Sequence, residues 1–233
     1  MKWDLPEREV TWAERWRKDQ FRISFLLRSV YDTLRSPVNL HQWGPVEDPN
    51  CKLCDKRGQM VHSLSGCQVA LTQGRFRWRH DKVLRELADV LEVERRKKRP
   101  TDQKPGQIQF VRQGEGTADK RAPKQKAVLD TGHDWELRVD LDAVLVSQQS
   151  KTLVAIELTV PREENCEEAR ERKSLKYADL VADCKDKGWS VWLFPVEVGC
   201  RGFPARSVWK LLTRLGMSGG THKTTTRRLG QDF

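Results

Sequence analysis

Apolar residues recur along this chain at two periods, and the change from one to the other divides it. Over residues 11–34 the positions Trp12, Trp16, Phe21, Phe25 and Leu26 follow helical spacing, with Pro37 beyond the end. A loop rich in turn residues follows, carrying His41-Gln42-Trp43-Gly44-Pro45 towards Cys51. A second helical stripe, Val83, Leu84, Leu87, Val90 and Leu91, runs through residues 80–95 and ends at Arg95-Arg96-Lys97-Lys98-Arg99-Pro100. After Trp135 the pattern shortens. Apolar runs at 143–146 and 153–160 flank the polar stretch 147–152, which predicts an antiparallel hairpin. Next comes a helix that starts at Asn165, with Glu168 three residues on, and closes at Gly188. Residues 190–198 read as a third strand and 205–215 as a last helix.

These elements predict an α/β fold, a mixed sheet flanked by helices over residues 128–217, preceded by a helical segment over 1–99 that holds a Cys/His cluster at 51–67. Between them, 100–127 is polar, basic and broken by Gly and Pro, and reads as a linker apart from a strand-like run at 107–111. Residues 218–233 read as a disordered basic tail. Composition adds a partner class. With 233 residues, 37% hydrophobic and 33% charged, the chain supports a core but not a generous one. A net charge of +10 and a pI near 9.5 point to a polyanion. No run of apolar residues is long enough for a membrane span and the amino terminus lacks a signal-peptide pattern, so an intracellular chain with reduced or metal-bound cysteines is expected.

The hairpin carries the first candidate chemistry. Fourteen residues separate Asp142 from Glu157, and their centre falls in the polar stretch. A symmetric register then sets the two carboxylates opposite each other on one face, about 5 Å apart at Cβ. That arrangement suits a shared hard cation, Mg²⁺ or Mn²⁺, which prefers oxygen ligands. In the helix that follows, Ala169, Lys173, Lys176 with Tyr177, Leu180 and Cys184 recur every three or four positions. Lys173 and Lys176 therefore fall on the sheet-facing side, and Lys185 and Lys187 on the other. The alternatives are two surface acids and lysine stems lying along a buried edge. Asp140, on the same side of an extended strand as Asp142, is a substitute ligand.

The second candidate is local. Cys51 and Cys54 bracket two residues, His62 follows after seven and Cys67 after four more, which makes four zinc ligands within seventeen residues. A closed set of this kind serves folding and docking rather than catalysis. Arg75, Arg77, Arg79 and His80 come next, interleaved with Phe76 and Trp78 in a pattern that can hold phosphates and stack bases, although the two aromatics suit a core role equally well. For Arg95, Arg96, Lys97, Lys98 and Arg99 three readings stand: phosphate contact, a nuclear localisation signal, or a solvated helix end favoured by the macrodipole. DNA, or RNA, is the polyanion implied. Cys166, Cys184 and Cys200 lack ligand spacing and read as small core residues.

The strings CKLCDKRGQMVHSLSGC, GRFRWRHDKVL, VLVSQQSKTLVAIELTVPREE, ERKSLKYADLV and PVEVGCRGF, in this order, resemble the carboxy-terminal region of non-long-terminal-repeat (LINE-type) retrotransposon polyproteins. The likeness runs over residues 21–216. It implies a CCHC zinc knuckle at Cys51, Cys54, His62 and Cys67, a basic motif at Arg79-His80-Asp81, and a restriction-endonuclease-like domain. Its site would be Asp142, Glu157, Lys173 and Lys176, working as a metal-dependent, DNA-nicking endonuclease with structural zinc. The chain departs from the family where Leu141 replaces a proline before the first acid, where Arg162 replaces a tryptophan, and where a spacer ahead of Asp142 is missing. Thr159 also stands where the usual strand lysine follows the second acid. A catalytically dead DNA- or RNA-binding module of the same origin is the alternative.

Overall fold

The computed structural model describes residues 19–98, 127–140, 142–217 and 219–230. Expectations for the first part of the 11–34 helix, for residues 100–126, and for Arg99 and Leu141 lie outside the described residues. Twelve α- and β-elements form the frame among those described. They are α1 (Gln20–Val30), α2 (Pro37–Gln42), α3 (Gln68–Thr72), α4 (Arg77–Lys97), β1 (Glu136–Val139), β2 (Ala143–Ser147), β3 (Thr152–Thr159), α5 (Cys166–Lys176), α6 (Ala178–Asp186), β4 (Ser190–Glu197), α7 (Arg206–Arg214) and α8 (Gly219–Leu229).

The four strands lie in chain order in one mixed sheet: β1–β2 and β2–β3 are antiparallel and β3–β4 parallel. The hairpin expected around 147–152 is present, with Ala143 paired to Ile156 and Ser147 to Thr152. Asp134 fixes its turn by accepting the Ser147 hydroxyl and the Gln149 N–H. β1 was not legible as a strand because its four residues, Glu-Leu-Arg-Val, carry two charges and no apolar run. Pairing along β2 makes it one. Parallel β3 and β4 need a crossover, which α5 and α6 supply.

Alternation sorts the sheet into two faces. Val154, Ile156 and Leu158 of β3 and Val196 of β4 join Val83, Leu84, Leu87, Val90 and Leu91 of α4 and Val208, Leu211 and Leu212 of α7 in one core. The whole α4 stripe read from the sequence is buried, each large aliphatic side chain contributing about 1.5–3 kcal/mol. Two boundaries shift as a result. First, α4 lies ahead of the expected linker yet is a wall of the sheet domain, since its apolar stripe is wide enough to need the sheet as cover. Second, the expected disordered tail contains α8, which packs on α4 and α7 and buries Leu229. Arg228 reaches Glu86 at 2.6 Å, a partner that a reading of the tail's own polar residues could not supply.

The amino-terminal elements also correct one expectation. Residues 37–42, assigned to a loop with Pro37 as a helix terminator, form α2 instead: Ser36 accepts the Asn39 N–H as N-cap, and Pro37 fits the first turn, where its missing N–H costs nothing. α2 is bound to the Cys/His segment by Val38 N–H donating to the Gly58 carbonyl at 3.2 Å.

Candidate functional site

Asp142 lies one residue before the first pair of β2 with β3, and the register that pairs Ala143 with Ile156 carries it opposite Glu157. Both acids sit at the end of the sheet where β3 finishes, the edge at which parallel strands open towards ligands. Glu157 is on the face away from the main core. Leu158 N–H donates to Asp142 Oδ1 at 2.9 Å, and Lys173 Nζ, from α5, donates to Glu157 Oε2 at 2.8 Å. Burial pushes the Asp142 carboxyl above the usual aspartate range; the Leu158 N–H opposes this and the Glu157 charge adds to it, with Lys173 as the counter-charge. Two carboxylates and one ammonium thus share a half-buried site built from two strands and a helix. Asp140 is exposed in the turn before β2, its N–H bonded to the Asp142 carbonyl.

The helical stripe is partly as expected. Cys166, Ala169, Lys173, Tyr177 and Cys184 face inward to varying degrees, but Leu180 is 58% exposed and Lys176 is exposed. The expected single helix breaks at Tyr177, whose backbone leaves the helical region, so phase is lost between α5 and α6. Lys176 Nζ meets the Tyr177 hydroxyl at 3.1 Å and lies 4.8 Å from its ring centre. The Tyr177 hydroxyl holds this ammonium above the usual lysine range, and the Glu157 and Asp142 charges act on it from the same side. Lys173 is paired within the acid site; Lys176 stands at its rim.

The four Cys/His positions converge. Their ligand atoms lie within 4.8 Å of one another, with Cys51 Sγ and Cys67 Sγ 3.9 Å apart, Cys67 and Cys54 3.8 Å, and Cys54 Sγ and His62 Nε2 3.2 Å. Bonds of about 2.3 Å to a tetrahedral zinc require sulfurs about 3.8 Å apart, so the donor set fits Zn²⁺. The turn after Cys51 is tight: Cys54 and Asp55 both donate N–H to the Cys51 carbonyl. Cys67 also caps α3, accepting the Ala70 N–H. All four ligands are used in one closed set.

The basic positions separate into two groups. Arg75 and Arg77 are exposed, although Arg77 leans on Asp81 at 3.6 Å. His80 is half-buried beside Asp81. Arg79 is half-buried and structural: it donates to the Leu64 carbonyl at 2.6 Å and lies over the Phe76 and Trp78 rings. In the polybasic run the cations expected to meet phosphates are mostly occupied by the protein itself. Arg95 is buried, bonded to Glu92 and to the Trp135 carbonyl at 2.8 Å. Arg96 pairs with the same Glu92, Lys97 with Glu94 and Lys98 with Asp130. Glu92 is held at about 2 by Arg95 and Arg96. The acids responsible, Glu92 and Glu94, precede the run on the same helix at three- and four-residue spacing, a signal present in the sequence.

A buried joint escaped the sequence reading. Glu163, at the start of the crossover, is 2% exposed and accepts both the Arg201 N–H and the Arg201 guanidinium. Cys200 donates its thiol to the same carboxylate, and burial pushes that thiol up to about 12. A Cβ at Gly199 would collide with the Glu163 carboxylate, so glycine is required there by close approach. Arg79 lies within electrostatic reach of Glu163 and Cys200, which ties the start of α4 and the Cys/His segment to the far end of β3 and β4. Glu163 stands in a run of three charged residues, and nothing in the run marks it as buried.

Neither family models nor curated proteins give a match for this chain. Among the described residues no helix is long and apolar enough to cross a membrane. Fold and site together define a mixed α/β domain joined to a Cys₃His metal-ligand cluster.

Proposed function

We propose that this chain is a divalent-metal-dependent DNA endonuclease of restriction-like type and retrotransposon origin, with a nucleic-acid-binding zinc knuckle. The observation that carries the reading is the meeting of Asp142, Glu157 and Lys173 at the open end of β2 and β3. Asp142 and Glu157 would hold Mg²⁺ or Mn²⁺, whose bound form supplies Lewis-acid polarisation of a phosphodiester. The Leu158 N–H orients the Asp142 carboxylate and leaves its second oxygen for a ligand. Lys173 pairs with Glu157 when the site is empty of substrate and can turn to an incoming phosphate, and Lys176 at the rim offers a second cation for charge that develops on the scissile group. Arg75 and Arg77 are exposed basic positions that can contact the backbone, and nuclear localisation through the basic run belongs to the same proposal.

The test is nicking of supercoiled plasmid with Mg²⁺ or Mn²⁺, beside Asp142→Asn and Glu157→Gln. Loss in both variants, with binding retained, is the expected result; a wild type that never nicks sinks the reading. One observation favours a second, non-catalytic reading. Glu157 is satisfied by Lys173 without a metal, and Thr159 stands in place of the usual strand lysine. A wild type that binds DNA with a steep salt dependence but never cuts it belongs to that module.

A further inference from the structure

A cleft of about 600 Å³ opens on the amino-terminal side of the Cys/His segment, lined by Arg28, Thr33, Arg35, Leu40, Trp43 and Pro45. Among the described residues its charged lining is two arginines, and neither of them pairs with a carboxylate there. Trp43 leaves 52% of its surface exposed, although an indole of that size is ordinarily driven inside. An exposed aromatic surface and two guanidinium groups in one cleft are what an unpaired nucleotide needs: a stacking partner for the base and cations for the flanking phosphates.

The walls are held in place by the chain itself. Asn39 is buried on α2, and its side-chain amide donates to the Asp32 carbonyl at 2.7 Å and the Leu34 carbonyl at 2.8 Å, which clamps the loop bearing Thr33 and Arg35. Asp32 adopts a positive φ of 54°, a conformation the clamp maintains. The Trp43 backbone N–H donates to the Asn39 carbonyl at 2.9 Å, so one residue holds both the loop and the backbone that carries the indole. Pro37 packs so closely on Gly58 that a Cβ there would come within 2.6 Å of it, which fixes the cleft to the Cys/His segment. A preformed site loses little entropy on binding.

We propose that this cleft binds one unpaired nucleotide of a single-stranded nucleic acid, with the base on Trp43 and the flanking phosphates on Arg28 and Arg35. Binding here depends on the cleft alone and does not require the acid site to cut anything. The cleft's volume is in the range of sites for ligands of that size. The distinction from the polybasic run is physical: Arg95, Arg96, Lys97 and Lys98 already have carboxylate partners, whereas among the described residues no ion pair of Arg28 or Arg35 has to break before it reaches a ligand.

Anisotropy of labelled 12-nucleotide DNA and RNA oligomers, read with the zinc-loaded full chain, tests this. Trp43→Ala should weaken single-strand binding about tenfold or more, and Trp43→Phe should retain most of it. Arg28→Gln with Arg35→Gln should weaken binding and lower the salt slope by about one for each phosphate no longer neutralised. An oligomer of abasic sugar-phosphate should bind the wild type no better than it binds Trp43→Ala. The DNA and RNA arms identify the source of the strand. Equal affinity of wild type and Trp43→Ala, or of base-bearing and abasic oligomers, overturns the proposal. Circular dichroism and zinc content identify a Trp43→Ala protein that has merely unfolded, in which case Trp43→Phe and the arginine pair decide, and wild-type affinity in both overturns it. Plasmid nicking read in parallel keeps the two proposals separate, since cutting can fail while oligomer binding stands.

Discussion

The Cys51–Cys67 segment draws three thiols and an imidazole from one short stretch that contributes nothing to the main hydrophobic core, whereas Asp142, Glu157 and Lys173 are brought together by two strands that do and by a crossover helix packed on the sheet. The first site is closed and organised by the ion it would hold; the second is held by a folded sheet, and its carboxylates already have an N–H and an ammonium as partners. Loss of metal should therefore act on folding in one region and on chemistry alone in the other.

The largest effect should come from the first region. Binding of a structural zinc is folding free energy, of order 10 kcal/mol, so a chelator or Cys54→Ser should melt residues around the cluster while the sheet core persists. Metal analysis and a two-step thermal transition would show this; a Cys54→Ser protein with wild-type zinc content and melting would break the comparison. In the second region, Asp142→Asn should leave the melting temperature nearly unchanged, Glu157→Gln should lower it because Lys173 loses its partner, and both should reduce plasmid nicking at least a thousandfold. Lys173→Ala should impair nicking more than Lys176→Ala, because only Lys173 is paired inside the site, and Lys185→Ala should have no effect. Unequal loss of stability in Asp142→Asn would show that the carboxylate is a structural group instead.

The joint between the regions comes next in size. Removing one member of a buried ion pair costs about 3–5 kcal/mol, so Glu163→Gln should lower the denaturation midpoint sharply, which urea unfolding would measure. A neutral result would mean that Arg201 relaxes to another acid, with Glu164 nearest at 4.0 Å. The smallest effect is pH-dependent. Glu92 is depressed to about 2 by Arg95 and Arg96, so its contribution is complete above its unfolded value near 4.5 and is lost as pH falls from there through 2. Discounted for the carboxylate's partial exposure, the contribution is about 1 kcal/mol. Glu92→Gln should be less stable than wild type at pH 7 and nearly equal to it at pH 2; a difference that is the same at both would remove the ion pair from the account.

Much of this molecule was written in local pattern. The Cys₃His set lay within seventeen residues, and the α4 stripe and the hairpin register could be read because periods of 3.6 and 2 depend on neighbours in the chain. The opposition of Asp142 to Glu157 followed from the centre of the polar turn alone. The tertiary structure decided what those patterns meet. It gave β1 a partner, broke the lysine-bearing helix at Tyr177, drew α4 and α8 into the sheet core, and buried Arg95 and Glu163 against residues 40 and 38 positions away. A charged residue reads as solvated until its partner is placed, and that partner is fixed by packing rather than by spacing. The same reason left three readings open for the basic run, whose carboxylate partners only the fold placed, and left Trp43, in a loop between two helices, without neighbours that its spacing could name.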